Sequence, residues 1–252
     1  MKLGCHAVLF KGKIKSDTEE ILKGLASTGF KGFEMGSRFF GTEDKDYFIK
    51  LLDKYQLELS GMHVGAPLEV WVDNPDEQIT KVLEVAKFVS DMPNKNVIMS
   101  GSKFPDGDVV TAAKNIDKAA LECKKMGVKL NYHNHGHEFM DNGRIYNALV
   151  EFAPNLNFAF DLGWIYKGGY DPIKVIKDNK NRTSYVHLRD GGELEGRDFP
   201  DLGQGNFDYK NLMETVESVV GEDGWAVVEY ESGEEDFGRY VEAREFLRKL
   251  GY

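Results

Sequence analysis

Cysteine is nearly missing from this chain: Cys5 and Cys123 are the whole complement among 252 residues, and they lie far apart in sequence. A disulfide framework is therefore excluded as the basis of the fold, and a reducing, cytoplasmic setting is expected. Basic residues are also in short supply, with 32 Lys and Arg against 42 Asp and Glu and a net charge of -10. Broad binding to a phosphate backbone needs clustered positive charge, so no nucleic-acid partner is expected. No apolar run reaches membrane-spanning length and Met1-Lys2-Leu3-Gly4-Cys5-His6 carries no leader pattern, so no membrane partner is expected either. Low-complexity linkers and obvious internal repeats are lacking, which favours one domain over residues 1–252.

What is present is an alternation of short apolar runs with amphipathic ones, the pattern of parallel strand–helix units. Strands are expected near 3–10, 32–35, 58–64, 96–100, 129–133, 157–161, 184–188 and 226–231. Helices are expected near 17–28, 44–55, 77–91, 110–126, 142–152, 172–179, 208–220 and 235–249. Eight such units in a chain of this length predict an α/β fold, a (β/α)8 TIM barrel. Asp171-Pro172 reads as a helix start, and Gly127 after Lys124-Lys125-Met126 as a helix stop.

Three of the six histidines fall in the stretch Asn131-Tyr132-His133-Asn134-His135-Gly136-His137-Glu138-Phe139. Side chains on a strand alternate between faces, so the registers of the last four strands aim His133, Asp161, His187 and Glu229 into the barrel near its C-terminal end, where barrel active sites lie. His6, Glu34 and His63 would form the opposite wall. Buried imidazoles and carboxylates need pairing or a cation. A mixed nitrogen and oxygen set suits one divalent metal ion, manganese first and cobalt, zinc, iron or magnesium otherwise. Two competing readings remain beside these: Asp161 as a cap on the turn at Leu162-Gly163, and Glu231 in place of Glu229 on the same strand face.

The chain resembles the xylose isomerase-like TIM-barrel superfamily, in its sugar phosphate isomerase/epimerase branch. The resemblance rests on Tyr132-His133-Asn134-His135 through Glu138-Phe139, Asp161-Leu162-Gly163-Trp164, Val186-His187-Leu188-Arg189-Asp190, Leu202-Gly203-Gln204-Gly205 and Gly224-Trp225 through Glu229. It implies a divalent ion on the ends of strands five to eight, held by Glu, Asp, His and Glu. Asp161, His187 and Glu229 match three of these ligands, whereas the strand-five Glu falls at His133. Either His133 binds the metal or Glu138 reaches back from the loop.

The activity implied is isomerisation or epimerisation of a sugar or sugar-like hydroxyketone through a metal-stabilised enediolate, with a keto-cyclitol dehydratase as the alternative, since such relatives carry histidines at this place. An abasic-site endonuclease and a non-catalytic sugar-binding barrel are the more distant rivals. Glu229 is expected as ligand and base, with His133, His135 or Glu138 moving a proton opposite. Lys103, Arg189, Trp164, His63 and Glu34 are expected to meet the substrate. The resemblance also implies a homo-oligomer.

Overall fold

The computed structural model describes residues 1–41, 44–193 and 197–252. Eight strands run parallel: β1 (Lys2–His6), β2 (Gly32–Gly36), β3 (Glu58–Gly65), β4 (Asn96–Ser100), β5 (Lys129–Tyr132), β6 (Asn157–Asp161), β7 (Thr183–Leu188) and β8 (Trp225–Val228). They close in sequence order, β8 pairing with β1 through Lys2 opposite Trp225 and Cys5 opposite Val228. The expected TIM barrel is the fold.

The helices outside it are α1 (Lys13–Ser16), α2 (Thr18–Ser27), α3 (Lys45–Tyr55), α4 (Val70–Asp73), α5 (Pro75–Val89) and α6 (Val109–Lys125). The second half adds α7 (Met140–Phe152), α8 (Leu162–Lys167), α9 (Pro172–Asp178), α10 (Tyr209–Val220) and α11 (Phe237–Lys249). Aspartates open several of them: Asp108, Asp171, Asp208 and Asp236 each accept a backbone N–H of the first turn through the side chain.

Period-two burial explains the layers. On the outer face of the strands, Val97, Met99, Leu130, Phe158, Phe160, Val186 and Val228 pack against the helices within one continuous core. On the inner face a separate plug of Ile98, Ala159, Tyr185, Trp225 and Val227 fills the lower barrel. The plug needs room, and Gly32 supplies it: a Cβ there would stand 2.5 Å from the Trp225 ring and 2.6 Å from the Glu58 carbonyl oxygen. The histidines and carboxylates that border the cavity lie above this plug, at the C-terminal end.

Several boundaries differ from those expected. The first strand stops at His6, and Ala7–Phe10 winds into a 3-10 turn because the His6 side chain accepts the Val8 N–H at 2.9 Å. The eighth strand stops at Val228, which puts Glu229 and Glu231 on the rim rather than in the ladder. Around α7, Asp141, Asn142 and Gly143 hold left-handed φ values of 52, 58 and 74°, so its regular turns begin after Gly143. The capping helices α1, α4 and α8 were not anticipated; at four to six residues each they are too short to show a period of 3.6.

Candidate active site and metal centre

The upper end of the barrel encloses a cavity of about 320 Å³ bordered by His6, His63, Ser100, His133, His135 and Glu229, among others. Glu34 lies beneath it with no exposed surface and serves as a hub. Its Oε1 stands 3.0 Å from His6 Nε2 and 3.0 Å from His63 Nδ1, and its Oε2 is 2.7 Å from His187 Nε2. Tyr185 donates its hydroxyl to the same Oε2 at 2.7 Å. One buried carboxylate is thus tied to strands β1, β3 and β7. Burial alone would push its pKa up, but His187 and His6 hold it well below the usual carboxylate range.

His187 is joined on its other side to His133, with the two Nδ1 atoms 2.7 Å apart. One ring must donate and the other accept. Burial works against a charge on His187, yet Glu34 and Glu229 outweigh it and raise its pKa to about 9; burial, reinforced by the His187 charge, pushes His133 well below its ordinary value. At neutral pH a charged His187 therefore donates to a neutral His133.

Three candidates for the metal meet here. Ligand atoms of His133, His187 and Glu229, all buried, lie within 4.8 Å of one another. Bonds of about 2.0–2.2 Å to a common ion allow ligand atoms to be up to about 4.4 Å apart, so small side-chain movements would close the set. Glu229 Oε2 is buried without a hydrogen-bond partner, 3.9 Å from His187 Nε2, as a ligand atom awaiting a cation would be. The donor set and this unpaired oxygen fit a divalent ion.

Asp161 stands apart from that group. Its Oδ1 accepts the Trp164 N–H at 2.9 Å and so caps α8, while its Oδ2 accepts from Arg189 Nε at 2.6 Å. Arg189 is itself buried, and its Nη2 lies 3.1 Å from Glu229 Oε1 and 3.1 Å from Glu231 Oε2. A guanidinium therefore sits among three carboxylates. Burial raises Asp161 to about 6 despite Arg189, whereas at Glu229 the guanidinium prevails over burial and holds the carboxyl at about 2. Arg189 is spent on these pairs rather than presented to a substrate.

Glu138 does not reach back to the ion site. Its Oε1 accepts from Tyr132 OH at 2.9 Å and lies 3.1 Å from His137 Nε2, and its Oε2 accepts the His135 N–H at 2.8 Å. His135 stands between the two clusters, its ring centroid 5.0 Å from that of His133 and 5.7 Å from that of Trp164. Lys103 borders a different cavity, of about 80 Å³, beside Phe104, His137 and Arg144. His63 does face the main cavity, bonded through Nε2 to Ser100 Oγ at 2.9 Å.

His6 lies on the cavity wall, its imidazole 3.0 Å from Glu34 and 3.9 Å from Glu229 Oε1; sequence reasoning placed it on that wall but gave it no role in the site. The same reasoning missed Tyr185 as a partner of Glu34 and Ser100 as a partner of His63, although both occupy inward positions of strands already identified. Among the described residues no helix is long and apolar enough to cross a membrane.

Comparison with known proteins agrees with the fold. The chain is 26% identical to an inosose dehydratase of Geobacillus kaustophilus over 194 residues, 68% of this chain and 61% of that protein, so the match spans about three fifths of that relative. Among solved structures it resembles a sugar phosphate isomerase/epimerase from Parabacteroides distasonis, with a TM-score of 0.76, 19% identity and coverage of 98% of this chain and 95% of the other. A probable 3-DHS dehydratase from Bacillus anthracis superposes with a TM-score of 0.77 at 14% identity, covering 98% and 99%. Residues 22–250 match the model of the xylose isomerase-like TIM barrel, and the chain belongs to that family.

Proposed function

We propose that the protein is a divalent-metal-dependent lyase that removes water from a keto-cyclitol or a closely similar hydroxyketone. The observation that carries this reading is the imidazole at the head of β5: His133, and not a carboxylate, meets His187 and Glu229. A two-carboxylate epimerase needs an acid on each face of one carbon, and here the group opposite Glu229 is a histidine. The relative named an inosose dehydratase supports the same choice.

His133, His187 and Glu229 would hold the ion, manganese first and cobalt, zinc, iron or magnesium otherwise. When bound, it would supply positive charge to polarise the substrate carbonyl and stabilise the negative charge that develops on its oxygen. The chain's own groups do the rest. Glu229, which would hold the ion through Oε2, takes the proton from the carbon beside the carbonyl on Oε1, the oxygen that Arg189 orients. On the facing wall His63, oriented by Glu34 and in contact with Ser100, gives a proton to the hydroxyl on the next carbon. The C–H and C–O bonds break, a C=C bond forms and water leaves. Return of a proton from Glu229 to His63 through solvent completes the cycle.

Epimerisation would result if the same carbanion were reprotonated on its other face, and the solved isomerase/epimerase of the same fold keeps that as the second reading. The test is incubation of manganese-loaded protein with 2-keto-cyclitols and ketoses in deuterated water, read by mass spectrometry. Loss of one water is expected. Deuterium gain without loss of mass in the product would replace the lyase by an epimerase.

A further inference from the structure

The turn after β5 carries a second set of ligands outside the proposed ion site. His135, His137 and Glu138 also place one ligand atom each within 4.8 Å of one another. Two features set this group apart from an ordinary polar turn. His135 Nδ1 is buried without a hydrogen-bond partner, and His137 Nε2, also buried and making no hydrogen bond, faces the Glu138 carboxylate at 3.1 Å. The two rings are also stacked, 5.3 Å between centroids and 11° between planes, so that both imidazoles stand side by side next to Glu138. The third member is held in place: Tyr132 OH and the His135 N–H fix both oxygens of Glu138.

From this geometry we infer a second metal site, in which His135, His137 and Glu138 bind a zinc-type divalent cation. Two imidazoles and a carboxylate are a common zinc donor set, completed by water. Tetrahedral bonds of about 2.0–2.1 Å set neighbouring ligand atoms about 3.3 Å apart, and His137 Nε2 already stands 3.1 Å from Glu138 Oε1. The cavity of about 80 Å³ on the His137 side has room for the water that would be the fourth ligand. Of the cations bordering it, Arg144 is committed to the carbonyls of Phe104, Pro105 and Gly107, and Lys103 is exposed.

The cation would pin the rim turn and fix His135 against the main cavity. His135 and Glu138 would then hold metal rather than move protons. This site does not depend on the lyase reading.

Stoichiometry tests it. Full-length protein stripped with a chelator, reloaded with zinc and desalted is expected to hold two equivalents by elemental analysis. H137A and H187A are each expected to hold one, and the double variant none. Cobalt loading of the wild type should give an intense tetrahedral visible band, diminished in H137A and in E138Q and still present in H187A. Two equivalents in H137A, or one equivalent in both wild type and H137A, would overturn the second site. Should H137A fail to fold, the cobalt band in E138Q decides alone: if it persists undiminished, the site is wrong. Loss of metal in H137A with none lost in H187A would instead remove the ion site of the proposed lyase and leave this one standing.

Discussion

Replacing Arg189 by Met tests the electrostatic core of the site most directly. In the wild type one guanidinium, buried to 2% exposure, neutralises Asp161 at 2.6 Å and Glu229 and Glu231 at 3.1 Å each. Met keeps much of the side-chain volume and removes the charge. Asp161 would then lose the guanidinium that neutralises it, and Glu229 would keep only His6 and His187, each 3.9 Å away. Removing one partner of a buried ion pair destabilises by about 3–5 kcal/mol. The lower end applies here, because Asp161 titrates at about 6 even beside Arg189 and would escape most of its penalty by taking a proton.

Glu229 sets the pH dependence. With its carboxyl at about 2 in the folded protein against an ordinary 4.5, it contributes stability that is present above the ordinary value and is lost as pH falls through about 2. The variant forfeits that contribution, so its deficit is largest at pH 7 to 8 and shrinks towards pH 4, where the unpaired carboxyls protonate. For a chain of this size about 3 kcal/mol corresponds to a fall in Tm of roughly 6–12 °C at pH 7.5. Differential scanning calorimetry in chelator at pH 4.5 and 7.5 measures both values. An equal fall at the two pH values would mean that packing and not charge is lost, and a fall below about 2 °C at pH 7.5 would refute the argument altogether.

H187A should bind manganese at least about 100-fold more weakly than wild type in a competition titration, whereas D161N should lose less, since Asp161 is engaged by Arg189 and Trp164. In the metal-free protein His187 stays charged up to about 9, so metal uptake at pH 7 must expel its proton; affinity should rise about tenfold per pH unit up to 9, with proton release visible by calorimetry in buffers of different ionisation enthalpy. Gly32→Ala should cost about 1–3 kcal/mol in urea unfolding, because the added methyl group meets the Glu58 carbonyl and the Trp225 ring.

The barrel was legible because its strands carry a simple signal. In β6, Phe158 and Phe160 alternate with Asn157, Ala159 and Asp161, and the outward and inward assignment comes from that period alone. The same rule aims His133, Asp161, His187 and Glu229 inward, and ligand atoms of three of them, Asp161 excepted, lie within 4.8 Å of one another. It could not say which side chains engage which partners. Asp161 and Arg189 are 28 residues apart, and nothing local announces that the guanidinium turns inward. Ser100 resembles any strand-end serine until β3 sets His63 beside it. The turn at 136–139 was equally opaque, since whether Glu138 reaches back or faces His137 depends on a 3-10 geometry with no periodic signature.

Arg189 and His133 together change what an ion in this barrel would meet. A ligand set of two carboxylates, a further acid and one imidazole would carry three negative charges; His133, His187 and Glu229 carry one. The charge that remains on Asp161 and Glu231 is answered by the protein's own cation. Three protein ligands would leave room beside them for adjacent substrate oxygens on a bound ion. A single negative charge among His133, His187 and Glu229 would also leave a bound ion the stronger Lewis acid. Both features favour loss of a proton beside a carbonyl. The fate of the carbanion then depends on the opposite wall. There His63 can donate a proton to a departing hydroxyl, and among the described residues no carboxylate on the cavity wall faces Glu229 to serve the second face of the carbon.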